Sequence, residues 1–387
     1  MIRPGNLFLS SSLLVLAVAA GEWIPALAGH AGPDVTPRLS LPDPTGPYQV
    51  GTTSLHLVDD SRTDPLAPTR VRELMVRLWY PAAERRQPAA AYLTPGVASV
   101  FTEFLRAATG VDLPTDLLSF PTHSLQDPPA LPGRRRPVVL FSHGLGVSAA
   151  INTALHEELA SRGYVVAGID HTFDGVVEFP DGRVEVQRPG LRVDDLLREV
   201  RAADLRFVLD QLTALAAGHN PDAGHRPLPR GLARMLDLTR VGAYGHSLGG
   251  PTVIGAMNQD PRIGAGAALD GTLRGPISFD RPFLMMGNQH ERRADDPDWA
   301  DFYDQLRGPR LHLIIDGAEH SDLTDMTVFK STIDFSVVFP TGPIDGERAL
   351  SIQRRYLVAW FDWALRGRAR PLLRGESTRF PEVDFQP

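Results

Sequence analysis

The run Gly245-His246-Ser247-Leu248-Gly249 sets one serine between two glycines, after the strand-like Val241–Tyr244 and before a stretch of helical character. In that context the chain makes a sharp strand-to-helix turn. The turn lifts Ser247 to the C-terminal edge of the strand in a strained conformation, and Gly245 and Gly249 relieve the crowding. The helix that follows brings its first amides and its dipole close to the oxygen on which charge develops. A serine hydroxyl is a poor nucleophile near neutral pH, so it needs a base, and the base needs an orienting acid. Acyl transfer through a covalent serine ester is the chemistry such parts serve.

Architectures built on this turn run in the order serine, acid, histidine, which leaves His290, His312 and His320 as bases. His312 lies inside Leu311–Ile315 and reads as a structural strand position. His290 follows the run Pro282–Met286, where the acid is more often found. His320 stands on the loop after the last strand and is the expected base. Two residues compete as the acid. Asp270 ends Ala265–Leu269 and precedes Gly271, whereas Glu291 stands one strand later; spacing leaves both open, with Asp270 the first choice. Asp295, Asp296, Asp298, Asp301 and Asp304 read as a solvated acidic face. Two backbone N–H donors are expected at the developing oxyanion, one from Leu248 and one from Leu145 in the loop His143–Gly146. His143 and His246 read as structural neighbours of these loops rather than as proton carriers.

The elements that must position these residues are legible as a series. Ser54–Val58 and Leu74–Tyr80 have no helix pattern between them and predict an antiparallel start to a sheet. Pro137–Ser142 is continuously apolar, as in a strand buried on both faces. Helices at about 148–162, 193–215, directly after Ser247 and at 347–366 alternate with strands near 164–169, 241–244, 265–269, 282–286 and 311–315. This alternation predicts an α/β-hydrolase fold, with a mostly parallel central sheet and helices on both faces, as one domain over residues 51–387. Residues 29–50 are rich in Pro and Gly and read as an extended leader. Residues 84–133 and 172–191 fall outside the alternation. Each reads as a lid or pocket wall, or as a surface insertion without function.

With 43% hydrophobic and 22% charged residues, the chain can bury a sizeable core. Its net charge of -7 offers little to neutralise phosphates, which argues against a nucleic-acid partner. The dense basic run Arg134-Arg135-Arg136 reads as a solvated turn. The absence of cysteine excludes thiol catalysis and thiolate metal sites, and no metal or organic cofactor is expected. Arg3, the apolar Leu7–Ala20 and Ala26-Leu27-Ala28 predict a signal peptide over residues 1–28 and a secreted protein, with an uncleaved N-terminal anchor as the other reading. Cleavage removes Arg3 and Glu22 together, so the net charge stays at -7.

With these pieces in place, the chain resembles the platelet-activating factor acetylhydrolase family of plasma type and its bacterial lipase-like relatives. The resemblance runs from about Gly51 to Pro387. It rests on Leu78-Trp79-Tyr80-Pro81, Val139–Gly146, Gly245–Gly250, Ala268-Leu269-Asp270-Gly271, and His320 with Asp325 five residues on. It implies a Ser247-Asp270-His320 triad, favouring Asp270 over Glu291, and calcium-independent activity on short or oxidised acyl esters. The animal members carry Phe after the nucleophile and a bulky aromatic after the Asp-Gly pair, where this chain has Leu248 and Thr272. That departure implies a reshaped acyl pocket. The expected function is therefore a serine carboxylic ester hydrolase acting on a small-molecule or lipid ester, with contact at a lipid interface in reach. The alternatives are an acyltransferase using the same triad and a hydrolase of polyesters or lipids; oligomeric state is left open.

Overall fold

The apolar runs become strands of one eleven-stranded sheet in the computed structural model, which describes residues 38–83, 86–273 and 275–386. The signal peptide expected at residues 1–28 lies outside the described residues. Two long strands, β1 (Val50–Asp64) and β2 (Ala67–Pro81), pair antiparallel, as the sequence predicts. Two short ones, β3 (Ala89–Ala91) and β4 (Pro121–Gln126), extend that edge. The parallel centre is built from β5 (Arg136–Ser142) and β6 (Val165–Asp170). A separate small hairpin, β7 (Val177–Glu178) and β8 (Val184–Glu185), follows. The centre continues through β9 (Leu236–His246), β10 (Ile263–Leu269), β11 (Phe283–Gly287) and β12 (Arg310–Ile315), and the antiparallel β13 (Val383–Gln386) closes the far edge. The spatial order is β3-β4-β1-β2-β6-β5-β9-β10-β11-β12-β13.

Helices cover both faces: α1 (Pro95–Thr109), α2 (Thr153–Ser161), α3 (Asp195–Ala216), the short α4 (Leu232–Met235), α5 (Gly249–Gln259), α6 (Pro297–Gln305), the short α7 (Met326–Phe329) and α8 (Gly346–Arg366). Every residue of β5 is buried. Val139 and Phe141 join the core cluster containing residues of α2 and α8, while Val138 and Leu140 join the cluster containing residues of α3 and α5. A period of two thus serves two cores at once, which is why the strand reads as one unbroken apolar run.

Three stretches carry more structure than their local pattern predicts. Within 84–133, Val97, Phe101 and Leu105 recur at helical spacing on α1, with Pro95 in its first turn and Gly110 at φ +70° ending it. Glu178 accepts the Gly96 N–H at 2.7 Å, tying that helix to the hairpin within 172–191. The acidic run after residue 294 is not only a solvated face. Asp296 caps α6 by accepting the N–H groups of Asp298 and Trp299, and Trp299 and Phe302 are buried beneath it. In the Pro-rich stretch before β1, Leu39 and Leu41 are buried, and Glu158 accepts both the N–H and the hydroxyl of Thr45 at 2.7 Å.

Candidate active site

Strand register delivers the site residues to one edge. Ser142 of β5 lies opposite Gly245 of β9, His246 opposite Leu269 of β10, Leu269 opposite Met286 of β11, and Gly287 opposite Ile314 of β12. The chain therefore leaves these neighbouring strands at His143, Ser247, Asp270 and Asn288, with the loop to His320 beside them. This is the carboxyl edge, where open α/β sheets place ligands.

Ser247 adopts φ +55°, the left-handed region that non-glycine residues enter at a cost of about 1–2 kcal/mol. Its N–H donates to Leu269 O at 3.0 Å and its carbonyl accepts Gly250 N–H at 2.9 Å, so the turn is held from both sides. The flanking glycines are sterically required: a Cβ on Gly245 would stand 2.2 Å from the Gly249 carbonyl, and one on Gly249 would stand 1.9 Å from Ser142 O. The strained turn read from the sequence is thus present in the backbone.

Asp270 and His320 meet. Asp270 ends β10 at φ +51°, and its Oδ2 accepts the His320 Nδ1–H at 2.5 Å. Asn288 donates twice to the same carboxylate, from its backbone N–H to Oδ1 at 2.8 Å and from its side chain to Oδ2 at 2.9 Å. Burial pushes the Asp270 carboxyl upward, but the bonds from His320 and Asn288 outweigh it and the net direction is down. Burial alone would lower the His320 imidazole; the Asp270 carboxylate reverses this and holds it above its ordinary value. With a third of its side chain exposed, His320 remains accessible from solvent. His246 packs its ring on that of His320, 4.7 Å between centroids, and donates Nε2–H to the His320 carbonyl at 3.1 Å. Burial, then the neighbouring His320, push the His246 imidazole down to about 3, so it anchors the loop as a neutral ring.

The rival candidates are placed elsewhere. Glu291 is pushed up to about 9, first by burial and then by the charge of Asp270, so it is protonated at neutral pH. His290 is mostly exposed and bonds Glu319 at 2.8 Å. His312 is buried in β12 against Trp299, with its imidazole pushed down to about 3 by burial and Arg293. Asp325 is buried at the start of α2, where it accepts the Ala154 N–H at 3.2 Å. Among the described residues, no group of three or more His, Asp or Glu side chains could hold a metal ion.

The loop after β5 lies directly over the serine. A Cβ on Gly144 would come within 3.3 Å of Ser247 Cβ and 3.7 Å of Oγ, so glycine permits the close approach. Leu145 follows, half-buried, and Leu248 is buried at the start of α5. Among the described residues, no carbonyl outside the regular elements accepts the N–H of Leu145 or of Leu248. Arg201 of α3, fully buried, holds the loop from behind. Its guanidinium donates to His143 O at 2.5 Å and Gly144 O at 3.1 Å, and Asp174 pairs with its other side. His143 Nδ1–H adds a second donor to Gly144 O at 2.6 Å. All peptides here are trans, so fixing the Gly144 carbonyl toward Arg201 turns the Leu145 N–H the opposite way.

A sequence model of the family described as platelet-activating factor acetylhydrolase, isoform II, matches residues 34–176 and 228–367. The chain belongs to that family. A protein from Arthroderma benhamiae named probable 1-alkyl-2-acetylglycerophosphocholine esterase is 28% identical over 413 residues, covering 94% of this chain and 98% of the relative. The platelet-activating factor acetylhydrolase of Cavia porcellus is 24% identical over 372 residues, covering 89% and 83% respectively. Among solved structures, a ferulic acid esterase from Streptomyces cinnamoneus matches with a TM-score of 0.75 at 36% identity, over 90% of this chain and 99% of that one. These relationships make the chain a carboxylic ester hydrolase of α/β-hydrolase fold.

Two residues of this family member's site escape the sequence reading. Asn288 carries one weak signal, a polar residue directly after the buried run Phe283–Gly287. Arg201 carries a stronger one. With Asp204 it interrupts the buried stripe Leu197, Val200, Leu205 and Val208 of α3, where a charge needs a partner. It also falls in the stretch between the two segments that the family model matches.

Proposed function

We propose that the chain is an exported serine esterase in which Ser247 is the nucleophile, His320 the general base and acid, and Asp270 the orienting carboxylate. The 2.5 Å bond from His320 Nδ1–H to Asp270, together with a serine held at φ +55° at the same edge of the sheet, supports this reading. That bond sets the neutral tautomer of His320, leaving the Nε2 lone pair to take the Ser247 proton. Ser247 then attacks the ester carbonyl, the N–H groups of Leu248 and Leu145 receive the oxyanion, and His320 returns the proton to the leaving alcohol. Water activated by the same imidazole releases the acid. No step requires a metal or an organic cofactor. The signal peptide expected at residues 1–28 supports a secreted enzyme.

The relatives' names span an acetyl and a feruloyl group, which supports a carboxylic ester with a compact acyl part as the substrate. The test is a series of p-nitrophenyl esters from acetate to laurate, with methyl ferulate alongside. Turnover of acetate or ferulate well above laurate is expected. Activity confined to long chains above their solubility limit would refute it and indicate a lipase. The same assay reads His320. Because Asp270 raises its pKa, kcat/KM should be low in acid and rise through a midpoint above about 6.5 as the imidazole loses its proton. A midpoint near 4 would instead point to a carboxylate base.

Arg201 enters this mechanism as a positioning residue. Arg201→Lys keeps the charge but loses the planar fork that grips two carbonyls and Asp174 together. It should lower kcat by about tenfold to a hundredfold, with KM little changed, since a misaimed oxyanion donor weakens the transition state more than the ground state. A rise in KM alone would remove Arg201 from this role.

A further inference from the structure

The reported site occupies the carboxyl edge of the sheet, but a cavity of about 470 Å³ opens at the other end. It is bordered by Arg134, just ahead of β5, and by the C-terminal ends of α2 and α8. Parallel β5 runs from Arg136 there to Ser142 beside the elbow, so the two places are separated by the strand's length, roughly 20 Å. Seven arginines and two carboxylates line this cavity, in a chain whose overall charge is -7.

Part of this cluster explains itself. Arg366 donates to the carbonyls of Arg162 and Gly163 at the end of α2, the expected place for a cation on a helix dipole. Asp362 pairs with Arg366, Arg368 and Arg370, and Glu158 pairs with Arg162. Arg134 and Arg379 have uncharged partners: the Arg134 side chain bonds the Tyr48 hydroxyl, and the Arg379 guanidinium stands 5.3 Å from the centre of the Phe380 ring. Among the described residues, no carboxylate forms an ion pair with Arg134, Arg355 or Arg379. Arg134 and Arg379 are exposed at the rim and Arg355 is half-buried on α8. Burial, and then the neighbouring Arg379 and Arg162, depress the Arg355 guanidinium below its ordinary value. Crowding like charges around a concave space stores a cost that a bound anion would offset.

We infer that this cavity binds a multiply charged phosphate anion, supplied by a soluble phosphate ester or by a phospholipid head group. Guanidinium forks match phosphate oxygens two at a time, and several converging forks favour an anion with more than one charge. The volume is that of a small-molecule site, and Tyr48, Val358, Leu372 and Phe380 supply an apolar wall for an attached organic part. The site is separate from the ester-cleaving residues, so its ligand is not the substrate.

The experiment titrates the full-length protein with pyrophosphate by calorimetry at about 0.15 M ionic strength. The double variant Arg355→Gln/Arg379→Gln is compared in parallel, with esterase kcat as the control for folding. Saturable binding that raises the unfolding temperature is expected, weakened about tenfold or more in the variant, with kcat unchanged. Absence of binding at millimolar pyrophosphate, or equal affinity in the variant, would overturn the inference. Sedimentation with phosphatidylcholine vesicles, plain or doped with phosphatidic acid, separates the sources. Capture by doped vesicles alone, reversed by pyrophosphate, supports a lipid head group. Pyrophosphate binding without capture supports a soluble ester.

Discussion

Ser247→Ala is expected to lower turnover of p-nitrophenyl acetate by about three to six orders of magnitude while the protein stays folded. The loss follows from removing the attacking oxygen; any remaining rate comes from the oxyanion donors and bound water. Stability should hardly change, because alanine inherits the same left-handed backbone at φ +55° and the same bonds to Leu269 and Gly250. Ser247→Gly extends the test. Glycine enters that region without a Cβ penalty, so it should be equally inactive yet more stable by about 1 kcal/mol. Assays of kcat with thermal unfolding of all three proteins decide it. An alanine variant within tenfold of the wild-type rate would dispose of Ser247 as the nucleophile.

Replacing the acid should be nearly as damaging, and the direction of one bond explains why. Asp270 Oδ1 accepts the rigid Asn288 backbone N–H, so in Asp270→Asn the amide oxygen stays on that donor. The new NH2 group then faces His320 Nδ1, which must become an acceptor. The imidazole proton is forced onto Nε2, the atom that should receive the serine proton. A loss of kcat of about 10⁴ is expected at neutral pH, as in serine hydrolases whose histidine is held in the wrong tautomer. Glu291→Gln should retain activity within a few-fold, because Glu291 already carries its proton and has no charge to lose. A larger loss from Glu291→Gln than from Asp270→Asn would reverse the assignment.

Much of this site was legible because its constraints are local. Gly245, Ser247 and Gly249 announce their turn as a five-residue motif, although the clash that requires glycine at 249 comes from Ser142 on the neighbouring strand. Pro137–Ser142 reads as a buried strand because both its faces are covered. The choice between Asp270 and Glu291 was not local. Each residue follows a strand on the same edge, and no spacing distinguishes an ionised carboxylate from a protonated one. Contacts distant in sequence decide that: His320 and Asn288 on one, burial beside Asp270 on the other. The helix α1 was hidden among prolines and polar residues, and α6 was hidden by a run of aspartates. In both, the buried stripe of Val97 and Phe101, or of Trp299 and Phe302, is too short to dominate its window. Arg134 and Arg135 are exposed, as a solvated turn requires, whereas Arg136 is buried in β5. That Arg134 also borders a cavity with Arg355 and Arg379 could not be read locally, because those two lie more than two hundred residues later.

The sequence by itself determined the glycine-flanked turn at Ser247 and the alternation that makes the sheet, since these depend on a short motif and on period, and its order along the chain made His320 the expected base. Tertiary structure alone decided which carboxyl meets His320, that Arg201 grips the loop over Ser247, and where arginines from distant segments converge. Those outcomes depend on burial and on directed bonds between strands and helices remote in the chain, and only the packed fold supplies either.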